Sequence, residues 1–260
     1  MVKAAHLLLI ACAGPKGFTP AAANVKVQLF DIMKRMYLFW LGVLSLCMVL
    51  RAGAQVNYHA SSCTGPYVRI ELGPAFVQDG KLIEFAGPVG ADVDYQVGFA
   101  AGATIGYTFN RYFSVELEFE GVAADIKSVP GYYSYDTYLN NLPFLVNLTY
   151  SRPLHNTRII PYVGAGLGGS MTIFGTDGFG NESVAVYGDD TDVVFAWQIF
   201  AGMRVELNPT MSLGVGYKYL ATEDSSFSFP PMFPMLGPNF TVGFSGVRAH
   251  LVTVSFQVKF

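Results

Sequence analysis

Residues 94–123 alternate between apolar and small or polar side chains for longer than a strand of a soluble domain usually runs. Tyr95, Val97, Phe99, Ala101, Ala103, Ile105, Tyr107 and Phe109 hold the odd positions, and Gln96, Gly98, Ala100, Gly102, Thr104, Gly106 and Thr108 the even ones. A period of two is that of a β-strand, whose successive side chains leave opposite faces of the pleat. After Asn110-Arg111-Tyr112 the pattern restarts. Phe113, Val115, Leu117, Phe119 and Ala123 share one face, and Ser114, Glu116, Glu118 and Glu120 the other. Globular strands are most often about 5–6 residues long, whereas a tilted strand that crosses a bilayer needs about 9–11. The pair therefore reads as a membrane hairpin, with its apolar side toward lipid and its small or charged side inward.

Composition separates this reading from a helical membrane protein. Hydrophobic residues make up 52% of the chain and charged residues 13%, which is little charge for a soluble surface. Yet only one segment is apolar enough to resemble a membrane helix. Alternating strands spread their apolar residues instead of gathering them into runs. A formal net charge of −3 and the lack of a Lys/Arg cluster beyond Lys34-Arg35 argue against nucleic acid as a partner.

The one apolar segment has the layout of an export signal. Met33-Lys34-Arg35 is a basic start, residues 36–50 form an apolar run, and Ala52-Gly53-Ala54 is a small-residue cleavage site, so residues 33–54 are expected to be a signal peptide cut before Gln55. An uncleaved anchor is the weaker reading, since about 20 apolar residues are normally needed to span. Residues 1–32 are then a misassigned upstream extension, with translation starting at Met33. A rival is the lipoprotein-like box Leu9-Ile10-Ala11-Cys12, whose use would strand the better apolar segment inside the mature chain. Of the three cysteines, Cys12 and Cys47 fall in the part expected to be removed. Cys63 alone remains, so no intrachain disulfide is expected. Residues 55–66 form a short periplasmic segment, and residues 67–260 the barrel domain.

Alternation recurs at residues 67–75, 142–151, 158–168, 193–207, 211–220 and 247–260. The connections alternate long and short, with long ones at 76–93, 124–136, 170–192 and 221–244. Outer-membrane barrels join an even number of strands by short periplasmic turns and longer outer loops. The expected fold is all-β: a transmembrane, antiparallel up-and-down barrel of about eight strands, with four long extracellular loops and both termini in the periplasm.

Gly106-Tyr107-Thr108-Phe109-Asn110, Ser114-Val115-Glu116-Leu117-Glu118, Pro161-Tyr162-Val163-Gly164-Ala165-Gly166-Leu167-Gly168 and the terminal Phe260 resemble the small outer-membrane β-barrel proteins grouped with the opacity-type surface antigens and the OmpA/OmpX-like barrels. The resemblance covers residues 67–260. It implies residence in the bacterial outer membrane, contact with outer-membrane lipid and lipopolysaccharide, and insertion by the barrel-assembly machinery. Phe256, Val258 and Phe260 match the family's terminal assembly signal. The motifs define a kind of barrel and not an activity.

Inward positions of the expected strands carry Arg69, Glu71, Glu116, Glu118, Glu120, Arg204, Glu206 and Lys218. Buried charges must be paired or hydrated, and an eight-stranded barrel is just wide enough for side chains to fill. An internal charge network is expected, with Arg69 and Arg204 as the partners of the glutamates. A narrow cation-favouring pore is the alternative. Phe227, Phe229, Phe233 and Phe240, in the last long loop, are a candidate contact surface or else fold down over the barrel mouth. Of the histidines left after export, His59 precedes the barrel, His155 lies in a short turn, and His250 has no acidic partner in sequence, so no enzyme and no cofactor are expected. Asp177, Asn181, Glu182, Asp189, Asp190 and Asp192 lack calcium-loop spacing and read as a solvated acidic loop. The expected role is structural or surface-interactive and adhesin-like, with a narrow porin second and a lipid A-modifying enzyme third.

Overall fold

The computed structural model describes residues 64–155, 157–229 and 240–260. The upstream extension, the signal peptide, all three cysteines, His59 and Phe233 lie outside the described residues. Among the described residues no helix is long and apolar enough to cross a membrane. The chain is built from strands: β1 (Gly65–Val77), β2 (Gly80–Phe85), β3 (Pro88–Tyr95), β4 (Gly98–Thr108), β5 (Phe113–Ala123), β6 (Ile126–Ser128), β7 (Tyr133–Tyr135), β8 (Tyr138–Ser151), β9 (Ile159–Gly180), β10 (Ala185–Asn208), β11 (Met211–Thr222), β12 (Ser225–Phe229), β13 (Phe240–Phe244) and β14 (Arg248–Lys259).

Strands β1, β4, β5, β8, β9, β10, β11 and β14 pair antiparallel in that order, and β14 returns to β1. Closure leaves no edge, which is what a sheet needs where no water can satisfy its backbone. The registers put the expected faces where alternation placed them. Ile105, Leu117, Phe119 and Leu167 are 52–62% exposed, while Thr104 and Glu116 are fully buried. Apolar outside and polar inside is the reverse of a soluble domain, and lipid is the medium that makes it stable. At the short-turn end, one asparagine carboxamide closes each of two turns. Asn110 Oδ1 accepts from the Tyr112 and Phe113 amides, and Asn208 Oδ1 from those of Thr210 and Met211. Tyr107, Phe109, Tyr112, Phe113 and Tyr150 ring this end in aromatic contact, the position an interfacial girdle takes.

Among the described residues the four long connections are built largely from strands. Residues 170–192, read from their Gly and Asp content as a loop, continue β9 and β10 into a hairpin whose strands have 22 and 24 residues. Each is about twice what a bilayer crossing requires. Period two persists there, with Thr172, Phe174 and Thr176 turned inward and buried, so the ladder does not stop where the lipid stops. The other connections supply a five-stranded sheet in the order β12-β13-β2-β3-β6, and β7 adds to the outer part of β9. These strands stand on the barrel as a second storey.

Polarity inverts between the storeys. Leu82, Phe85, Val93, Phe174, Phe179, Phe227, Phe229, Val242 and Phe244 belong to one buried cluster within the outer storey. Lys81, Asp92, Lys127, Ser226 and Ser228 face out of it and are exposed. Phe174 is the hub, with ring contacts to Phe179, Phe227, Phe229 and Phe244 at 5.0–5.8 Å. Between β10 and β12 the backbone ladder is replaced by side chains: the Ser226 amide donates to Asp192 Oδ2 at 2.9 Å and the Ser228 amide to Asp190 Oδ2 at 2.6 Å. The outward N–H groups of the short β12 edge are thereby satisfied by carboxylates two residues apart.

Candidate functional site

The lumen is assembled by letting side chains of β1 lie across β4. The inward residues of β4 are Ala100, Gly102, Thr104 and Gly106, too small to stand between β1 and β5. The Tyr67 ring lies over Gly106, so closely that a Cβ there would collide with it. Tyr67 and Arg69 therefore reach Glu116 on the strand beyond. Arg69 donates to both Glu116 oxygens at 2.8 Å, a bidentate pair, and the Tyr67 hydroxyl donates to the same carboxylate. Arg69 also lies 3.8 Å from Glu118 and 3.9 Å from Glu71.

Lys218 comes from the opposite wall. β11 is four strands from β5 around the barrel, and its Lys218 ammonium lies among three carboxylates, donating to Glu71 and Glu118 and approaching Glu120 at 3.5 Å. All of these side chains are at most 4% exposed. Glu71, Glu118 and Glu120 are close enough together for a metal ion, but the Lys218 ammonium already supplies the positive charge there. Asn147 donates to Glu118 at 2.6 Å and accepts from Gln198 at 2.9 Å, extending the network across β8 and β10.

Two expectations about this network are corrected. Arg204 is not a glutamate partner. It donates to Gln257 Oε1 at 2.7 Å and Ser151 Oγ at 2.9 Å and lies over the Tyr162 ring at 5.2 Å. Its place on β10, four residues from the short-turn end of the strand, keeps it below the carboxylate layer. Glu206, one inward position lower, is not interior. It sits half-exposed at the rim and pairs with Lys259 at 3.2 Å. Tyr67, Asn147, Gln198 and Gln257 belong to the network and carry no charge, so only their inward register marks them in the sequence.

Above the charges the lumen turns apolar. Ala75, Ala100, Val122, Leu145, Ala196, Leu220, Ala249 and Leu251 form one buried cluster at the outer end of the barrel strands, and the aromatic core of the outer storey is built from the connections beyond it. Phe227 and Phe229, read either as a contact surface or as folding down over the barrel mouth, are buried at 0% and 2% exposure, which removes the first reading, and Phe240 packs partly buried against the same core. Their alternation with Ser226 and Ser228 on β12 sends the phenylalanines in and the serines out.

What the outer storey exposes is different. Tyr133, Tyr135 and Tyr187 are 37%, 64% and 51% exposed. Tyr135 and Tyr187 flank Gly178, each 3.3 Å from where a Cβ would stand, and Tyr133 adjoins Tyr135 at 5.7 Å. The surrounding connections carry Asp79, Glu84, Asp92, Asp94, Asp125, Asp136, Asp177, Glu182, Asp189, Asp190, Asp192, Glu223 and Asp224 against Lys81, Lys127 and Arg248 alone. Asp189 and Asp177, together with partial burial, push the Tyr138 hydroxyl above its ordinary pKa, burial being the larger cause. Asp190 and Asp192 are the carboxylates of the β10–β12 seam, and Asn181 caps its own turn by accepting from the Ser183 and Val184 amides. His250 faces outward near the outer end of β14, between Gln78 at 2.6 Å and the Tyr217 hydroxyl at 2.5 Å, both neutral groups. Phe256 and Val258 lie outward on β14, which closes the barrel against β1, and Phe260 follows the strand, its amide donating to the Pro66 carbonyl at 3.0 Å.

Two solved structures are similar in fold. Neisserial surface protein A shares 16% identity over 75% of this chain and 97% of its own, with a TM-score of 0.49. The outer membrane protein OprG from Pseudomonas aeruginosa shares 14% identity over 78% of this chain and 100% of its own, with a TM-score of 0.50, a likeness of fold alone. No match was found among curated protein sequences. Residues 43–260 match the family described as the outer membrane protein beta-barrel domain. Closed ladder, lipid-facing apolar residues and family match agree: the chain belongs to the outer membrane β-barrel proteins.

Proposed function

We propose that this is a non-conducting barrel that anchors an acidic, tyrosine-bearing contact platform above the outer membrane, in a structural or surface-interaction role. The observation that carries the reading is the outer storey itself. Its connections fold around a dry aromatic core and hold Tyr133, Tyr135 and Tyr187 outward. Rigid, exposed tyrosines give contact area at little cost in side-chain entropy, and a surface this rich in carboxylates favours a positively charged partner. The apolar cluster above the charge network supports a filled lumen over a pore.

Two measurements on the purified protein test the reading. In planar bilayers the protein gives no steady openings. Openings that fall when Glu118 is replaced by Gln would establish the pore instead. In nanodiscs it binds an arginine-rich peptide, not an oligoglutamate, and binding weakens with salt and on Tyr135→Ala with Tyr187→Ala. Equal binding of both peptides would remove the platform.

A further inference from the structure

The short-turn end of the lumen holds a cavity of about 160 Å³ whose charges do not balance. Arg204, Arg111 and Lys259 line it, and Glu206 is its only acidic lining residue. Lys259 already takes Glu206, at 3.2 Å. Arg204 is 7% exposed, yet the acceptors that it reaches, Gln257 and Ser151, are neutral. Glu116 acts on Arg204 only through space, because its oxygens are taken by both guanidinium nitrogens of Arg69 and by Tyr67. Among the described residues Arg204 and Arg111 make no ion pair. A buried guanidinium with only neutral acceptors retains most of its desolvation penalty, and its planar fork matches the geometry of an oxyanion.

We propose that this cavity is a binding site for one oxyanionic group, a phosphate or a carboxylate, entering from the periplasm. Arg204 is its floor, since its guanidinium is fixed against the Tyr162 ring and by its bonds to Gln257 and Ser151. Arg111, exposed on the turn between β4 and β5, is its movable rim. Nothing in this site depends on the outer storey or its partner.

Calorimetric titration of the full-length protein in nanodiscs tests the proposal, with sodium phosphate and sodium acetate as probes and sodium chloride at matched ionic strength as control. The expected result is saturable heat with phosphate, acetate or both, and none with chloride. Whichever probe saturates names the group. Arg204→Gln abolishes the response. Because that variant removes a buried charge, its barrel is first checked by heat-shifted gel mobility, and Arg111→Gln, at an exposed turn, serves as the second variant, with affinity lowered severalfold. Lys81→Gln, at the opposite end of the molecule, changes nothing. Heat that never saturates, that chloride reproduces, or that Arg111→Gln and Arg204→Gln both leave intact would overturn the site.

Discussion

The two storeys share the long strands β9 and β10 and obey opposite rules. In β4, β5 and β8 the residues that leave the barrel are Ile105, Leu117 and Val146, and those that enter it are Thr104, Glu118 and Asn147. In β2, β12 and the outer part of β9 the residues that enter are Leu82, Phe227 and Phe174. The backbone geometry is the same, and only the medium changes. Below, lipid accepts the apolar face, so the interior can hold charge provided that each charge is hydrogen-bonded or paired. Above, water accepts the polar face, so the interior is dry. The crossing lies at the Ala75, Leu145 and Leu251 layer, where the inward side turns apolar while Phe99 and Phe144 still point outward to lipid.

The largest expected effect lies in the lower storey. Lys218→Met leaves Glu120 without an ion pair, and Glu71 and Glu118 with Arg69 alone, at 3.9 and 3.8 Å. Removing one partner of a buried ion pair costs about 3–5 kcal/mol. Urea unfolding from lipid vesicles measures it, and the loss concerns the whole barrel. If instead stability is retained, the lumen is more hydrated than the burial of these side chains implies.

Phe174→Ala is the matching test above. Truncating a core phenylalanine costs about 3–5 kcal/mol, but here the loss is confined to the outer storey. Proteolysis or hydrogen exchange should report loosening of β12, β13 and β2, while heat-shifted gel mobility of the barrel is unchanged. A variant that loses both would show that the storeys fold as one unit, and the comparison would need redrawing.

Arginine scanning reads the inversion directly, with a smaller expected effect. Val146→Arg, on the lipid face of β8, should cost about 2–4 kcal/mol, as a basic residue near the bilayer midplane does. Ser226→Arg, exposed on β12, should cost about 0.5 kcal/mol or less. The same unfolding assay covers both, and equal costs would end the two-medium account.

Alternation made the lower storey legible because each strand has one lipid face and repeats it for ten or more residues. The outer storey defeats that reading for two reasons. β6 and β7 have three residues each and β12 and β13 five, too short for a period to declare itself. Its faces are also reversed, so Phe227 and Phe229 look like an exposed cluster until β12 is seen to turn them inward. In the lumen the inward residues were readable one strand at a time, but not their partners. Lys218 and Arg204 lie on neighbouring strands with the same pattern around them. Only the stagger of the closed ladder puts Lys218 at the level of Glu118 and Arg204 a layer lower, beside Gln257.

The smallest effect concerns a place where strands of the outer storey meet without a ladder. β1 and β14 join through successive backbone bonds, whereas β12 is held to β10 by two carboxylates. Asp190→Asn with Asp192→Asn keeps an acceptor at each position but removes its charge, which should weaken the seam by about 1 kcal/mol. Amide exchange at Ser226 and Ser228 should then quicken about fivefold, with exchange in β1 and β14 unchanged. The aromatic core presses β12 inward at the same residues, since Phe227 and Phe229 lie under those amides on alternate positions. If exchange stays at its original rate, packing alone holds the seam. The carboxylates then serve only to cover an edge that would otherwise offer its N–H groups to another chain.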